Sequence, residues 1–267
     1  MVRTFIASQA GQLRTFFALT QRNLKVIVSD AKDICIDGAL LAGLNVLLFA
    51  YLFPAMGMSE QMVAPVFIGS LLALFINLSF SISIRTVFDL RFKRFIDYLM
   101  TLPLSKYWFF ACAIMGFFLE LFLSTIPLVT CSVVALHGKL PFANTQWLLL
   151  GVMYLLSLLI LSIFFLACAV SYQYGWFLDN MWPRRLAPVV ALGCVYVPWF
   201  TVHSIAPAAS WIMLLNPLTY MSEGIRASML GQAGYIDSRI CLGVLIMSLA
   251  ASLLFLSRAV QNRLNPV

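Results

Sequence analysis

Apolar residues in this chain do not alternate with polar ones. They run in long blocks separated by short polar or basic segments. Six blocks approach or exceed the roughly 20 mostly apolar residues that a helix needs to cross the hydrocarbon of a bilayer. They lie near 34–53, 63–84, 107–136, 147–170, 186–203 and 239–257. The pattern predicts an all-α polytopic membrane protein with six transmembrane helices. Pro127, Pro188 and Pro198 fall inside blocks, where a missing N–H and a ring clash are expected to kink a helix.

Three further segments are amphipathic rather than uniformly apolar. In residues 1–33, Arg3, Arg14, Arg22 and Lys25 fall near one helical face. Phe5, Leu13, Phe16, Phe17, Leu24 and Ile27 fall largely on the other. This predicts a helix lying in the headgroup plane ahead of the first span, though a helix packed on a partner gives the same pattern. Between the second and third blocks, Phe88, Phe92, Phe95, Ile96 and Leu99 recur at helical spacing among Asp89, Lys93, Arg94 and Asp97, up to Pro103. A short helix over about 88–101 is expected there. The third segment, 204–230, is too apolar for a solvated loop. It predicts short helices dipping back into the membrane, because irregular backbone at that depth must be held by protein. The chain then divides into an interfacial helix (1–33), a six-helix domain (34–257) and a tail (258–267).

Charge orients this frame. Arg3, Arg14, Arg22, Lys25, Lys32, Arg85, Arg91, Lys93, Arg94, Lys106, Arg184, Arg185, Arg258 and Arg263 fall on one side of the six-span arrangement. Only Lys139, Arg226 and Arg239, of the 17 basic residues, fall on the other. Basic residues flanking spans stay cytoplasmic. Both termini are therefore expected inside, in a bacterial cytoplasmic membrane.

A composition of 62% hydrophobic and 10% charged residues excludes a soluble globular domain, which could not cover its surface. The net charge of +7 does not point to nucleic acid, since the basic residues flank apolar blocks where lipid headgroups attract them. No secretory signal segment is expected, the first apolar block beginning near Ile34. The cysteines Cys35, Cys112, Cys131, Cys168, Cys194 and Cys241 are scattered singly, without metal-ligand spacing. No catalytic constellation and no metal site is expected.

Two motifs occur together. Thr101-Leu-Pro-Leu-Ser-Lys106 follows the amphipathic segment after the second block. Asn216-Pro-Leu-Thr-Tyr220, with Glu223 and Arg226 downstream, precedes the last block. With the order of spans and the N-terminal helix, these resemble the ABC-2 family of ABC transporter permeases, the membrane subunits of type-2 exporters. The resemblance covers nearly the whole chain. It implies an ATP-driven exporter of an amphipathic, lipid or lipid-linked substrate or drug, and a partner that is a second copy or a related permease. It also implies separate ATP-binding cassette subunits that carry ATP and Mg. This chain has no Walker A motif and is expected to bind no nucleotide cofactor itself. The resemblance makes 88–101 a coupling helix, with Asp89, Arg91, Phe92, Phe95, Asp97, Leu99 and Pro103 facing the ATPase. It makes Asn216, Pro217, Tyr220, Glu223 and Arg226 a re-entrant motif.

Single residues sharpen the picture. Glu120 lies within the third block, where an ionisable group is costly and marks function by default. It either lines the translocation path or serves as a hydrogen-bonded structural group within the bundle. Glu223 and Arg226 are three apart on a predicted helix, the spacing at which side chains meet, and read as an ion pair pinning the re-entrant element. Asn216-Pro217 reads as the start of that helix. His137 and His203 have no ligand-spaced partners, and His203 reads as an interfacial polar residue. An ion-driven transporter and a membrane-embedded enzyme acting on lipid are the competing classes. The first would need several charges at the midplane, the second a reactive cluster, and neither pattern is evident.

Overall fold

The computed structural model describes residues 2–92, 106–136 and 145–264, and among these the chain is helical with no strand. Helix α1 (Val2–Ser29) passes at Asp30 into α2 (Ala31–Ala55). Helices α3 (Glu60–Phe92), α4 (Lys106–Ala135) and α5 (Trp147–Ser171) follow. Helix α6 covers 174–191, α7 is Trp199–Ile205, α8 is Pro207–Met213, α9 is Pro217–Leu230 and α10 is Ser238–Leu264. Among the described residues five helices are long and apolar enough to cross a membrane: α2, then Met62–Leu90 of α3, Phe110–Ala135 of α4, Trp147–Ser171, and Ser238–Asn262 of α10. The protein is membrane-embedded on this evidence.

The fifth apolar block departs from expectation. Residues 186–203 do not form one helix: α6 ends at Ala191, the backbone turns through 192–198, and α7 starts afresh at Trp199. Pro198 disfavours helix at Val197, and Cys194 sits at a positive φ of 49°, outside the helical region. Arg184 and Arg185 lie inside α6 rather than in a connection. Prolines also explain two loosened turns. Leu47–Leu52 is wound as a π-helix ahead of Pro54, and Trp182–Leu186 is wound so ahead of Pro188. Wider i→i+5 turns relieve the clash between a proline ring and the carbonyl four residues back. Pro127 sits within an unbroken α4.

The core is built around α5, whose residues from Leu158 to Val170 are almost all buried, packed against α3 and α10. Phe80 of α3 stacks on Phe177 at 5.5 Å and lies beside Trp182 and Phe165, tying α6 to the same core. Alongside, α1 and α2 follow α4 in the same direction. Phe16 meets Trp108 edge-on at 5.4 Å, Asn23 lies over Gly116, and Gly38 lies over Pro127. At Gly38 a methyl would stand 2.8 Å from the Pro127 ring, so glycine sets how closely α2 approaches α4. The inward stripe of α1 is Phe16, Leu19, Asn23 and Ile27, a helical repeat, while Phe17, Val26 and Val28 remain exposed.

Two candidate functional sites at opposite ends of α3

The first site grows from the broken backbone after α6. A helix end leaves carbonyls without partners, and a new helix start leaves N–H groups without them. Here α9 meets one group of each set and the carbonyls of the turn between them. Asn216 starts that helix: its Oδ1 accepts from the Leu218 N–H at 3.0 Å, and its amide donates to the Val189 carbonyl at 2.5 Å. Pro217 occupies the first turn, as its fixed φ allows. Residues 222, 223 and 226 then share one face. The Ser222 hydroxyl lies 3.3 and 3.2 Å from the Gly193 and Cys194 carbonyl oxygens, and 3.0 Å from that of Thr219.

Arg226 completes the arrangement. Its Nη1 donates to the Cys194 carbonyl at 2.7 Å and to Glu223 Oε1 at 3.0 Å. Its Nη2 donates to the Val195 carbonyl, and its Nε reaches the Pro65 carbonyl of α3 at 2.9 Å. Glu223 serves the opposite polarity. Its Oε1 accepts from the Trp199 N–H at 3.1 Å, the first N–H of α7, and its Oε2 from the Ile236 N–H at 3.4 Å. Both side chains are 0% exposed. Burial pushes the phenol of nearby Tyr235 up. Tyr220, on the same helix, is half-buried against the core.

Gly69 of α3 makes this approach possible. A methyl there would overlap the Val195 carbonyl oxygen and the Arg226 guanidinium. Behind the break, Ser210 accepts or donates at 2.8 Å with His203 Nδ1, and its carbonyl accepts from the Trp199 indole at 2.9 Å. His203 stacks on Trp199 at 5.0 Å and meets Trp211 of α8 edge-on at 6.0 Å, so it serves packing between α7 and α8. Ser210 is fully buried and its hydroxyl also bonds the Pro207 carbonyl, an arrangement with no approach for a substrate.

The second site lies at the other end of α3. Arg85 forms an ion pair with Glu120 of α4, its side chain 64% exposed and that of Glu120 26%. The pair borders a cavity of about 540 Å³ between α1, α3 and α4, with Leu166 of α5 also on its wall. Cys112 and Ala113 put small side chains on the α4 wall, and the space over Gly116 is taken by the Asn23 amide. Asn23, Asp30 and Asp89 stand around it.

The expected coupling residues divide. Asp89, Arg91 and Phe92 belong to the last turns of α3, which continues through the boundary expected near residue 84. Phe92 packs against Phe88 at 4.9 Å and Tyr174 at 5.3 Å. Phe95, Asp97, Leu99 and Pro103 lie outside the described residues. Glu120 stands with Arg85, far from the Glu223–Arg226 pair. Among the described residues no three His, Cys, Asp or Glu side chains form a group that could hold a metal. Ser222 was within reach of sequence reasoning, since it shares the helical face of Glu223 and Arg226. Gly69, Asn23 and Asp30 carried no such signal. No family model, curated protein or solved structure matches the chain.

Proposed function

We propose that this chain is the membrane-spanning permease subunit of an ATP-driven exporter of the ABC-2 type, moving an amphipathic or lipid-linked molecule. The supporting observation is that the residues of the resembling motif act together. Asn216 and Pro217 start α9, and Glu223 with Arg226 closes the backbone break at 192–198 against α3. Helix α9, too short to cross a membrane, is thereby packed among the long apolar helices, as a re-entrant segment would be. In this reading the 88–101 segment touches a separate ATPase, nucleotide-driven closure of the ATPase pair shifts the permease between two populations, and the partner permease is a second copy or a sister chain.

The test is purification of the tagged chain from its native membrane. A nucleotide-binding subunit with a Walker A motif is expected to come with it and to hydrolyse ATP only in its presence. Replacement of Phe95 or Asp97 is expected to leave insertion intact while separating hydrolysis from transport. Recovery of the chain with no associated nucleotide-binding protein, across several mild detergents, would sink the reading.

A further inference from the structure

We propose that Arg184 and Arg185 of α6, with the rings of Tyr172 and Trp176, form a recognition site for the phosphate head of an amphiphile. Depth sets these two arginines apart. Helix α6 lies along the half of α3 that ends at Leu90. Tyr174 meets Phe88 and Phe92 there, at 5.7 and 5.3 Å, and Trp182 meets Phe80 at 5.5 Å. Phe80 precedes Leu90, where the apolar stretch of α3 stops, by about ten residues, or about 15 Å of helix. Arg184 and Arg185 follow Trp182, further from that end. Two permanent charges are therefore rooted at hydrocarbon depth, and both are exposed on the surface of the chain. Charges so placed are costly in lipid and mark function by default.

Neither arginine is satisfied within the chain. Among the described residues no carboxylate or carbonyl accepts a side-chain bond from either one, and Asp179, the acid of α6, pairs with neither. The Arg185 guanidinium instead lies over the rings of Tyr172 and Trp176, 5.1 and 5.3 Å from their centroids, and those rings are stacked 4.4 Å apart. Tyr172 follows the last residue of α5, and Trp176 belongs to the first turn of α6. The side chain thus carries its charge from a deep root back toward the end of the bundle, where headgroups lie. Attraction to ring faces holds the charge in place but commits none of its N–H groups. A planar fork of donors held ready in that layer matches a phosphate, which it can grip through two parallel bonds. Arg184, its neighbour on the widened turn Trp182–Leu186, adds a second positive charge. The site stands without the permease reading. Combined with that reading, it gives the molecule carried, or the lipid that attends it, an anionic head.

Phosphate heads have two sources, anionic phospholipids of the bilayer and phosphorylated amphiphiles passed across it. The experiment separates them. Binding of radiolabelled dodecyl phosphate to the delipidated full chain in maltoside micelles is compared with that of dodecyltrimethylammonium, which has the same tail and the opposite charge. The phosphate is expected to bind about tenfold more tightly. Arg184→Gln and Arg185→Gln are each expected to weaken it about fivefold. Arg185→Lys keeps the charge and loses the fork, and is expected to recover only part of that loss. Arg239→Gln, which removes an exposed charge at the start of α10, is expected to change nothing.

Displacement of the probe by phosphatidylglycerol assigns the site to membrane lipid. Displacement by a polyprenyl phosphate, but not by phosphatidylglycerol, assigns it to a carried amphiphile. Both arginines are exposed, so their variants are expected to fold, and the thermal midpoint of each checks this. Equal affinity for the two charges overturns the proposal, as does displacement by neither lipid. So does unchanged affinity in folded Arg184→Gln and Arg185→Gln chains. A changed oligomeric state in those variants, with affinity unchanged, would give the arginines to a carboxylate of a second copy instead. None of these results depends on whether an ATPase associates.

Discussion

Two Arg–Glu pairs sit at opposite ends of α3, and they differ in nearly every physical respect. Glu223 and Arg226 are fully buried, three residues apart, and between them bond five backbone groups on four segments of chain. Arg85 and Glu120 are partly exposed, join only two helices, and face a cavity. A buried charge with every polar atom partnered is fixed, because any movement leaves some group bare. A pair beside open space can exchange partners at small cost. The first pair thus organises backbone, and the second stands partly in the open beside a cavity. The same two residue types serve opposite ends because solvation, not identity, decides what an ion pair does.

The largest way to break this comparison is Arg226→Ala. The substitution strips the Cys194, Val195 and Pro65 carbonyls of their donor and leaves Glu223 buried without its counter-charge. Removing one member of a buried pair costs about 3–5 kcal/mol, a large share of a typical domain's stability. The expected outcome is loss of monodisperse protein after detergent extraction, or a sharply lower thermal midpoint. An unchanged midpoint would mean that the 192–198 break holds itself without the guanidinium.

Gly69→Ala is expected to come next. Its methyl meets a backbone carbonyl that cannot rotate away, so α3 must draw back from the break, and overpacking of this kind costs about 1–3 kcal/mol or more. The comparison sharpens in the double variant. Gly69 and Arg226 share a contact, so their effects should not add, and the second change should cost less in the background of the first. Strict additivity of the two midpoint shifts would show that the glycine acts through something other than this clasp.

How far the sequence foretold these sites follows from how local each one is. Asn216, Pro217 and the Glu223–Arg226 spacing are all within one helix, so turn chemistry and an i,i+3 rule suffice to read them. The partners of Arg226 lie up to 161 residues away, at Pro65, and no periodicity reports a carbonyl. The break itself was half legible. Pro198 announces a disturbance, yet a run as apolar as 186–203 looks like a span until one sees that side chains of another helix meet its freed carbonyls. The charges of residues 85–92 interrupt the hydropathy, which places them past the end of the second span when sequence alone is read. Helical hydrogen bonding is indifferent to that, and α3 continues through them. Glu120 stood out as an acid inside an apolar block, but Arg85 and Asp30, which give it meaning, come from elements that only folding brings near.

Glu120→Gln supplies the smallest effect and the most informative one. The amide keeps the volume and a hydrogen-bond acceptor for Arg85, whose side chain is 64% exposed and can return its charge to water. Partly exposed pairs contribute about 0–1 kcal/mol, so the thermal midpoint should shift little if at all, and the small shift should fade as salt rises. A buried clasp has no such salt dependence, because ions cannot reach it. Measuring Glu120→Gln and Arg226→Ala across the same salt series therefore tests the contrast directly. If the Glu120 variant lost as much stability as the Arg226 variant, at every salt concentration, Arg85–Glu120 would be a second structural clasp.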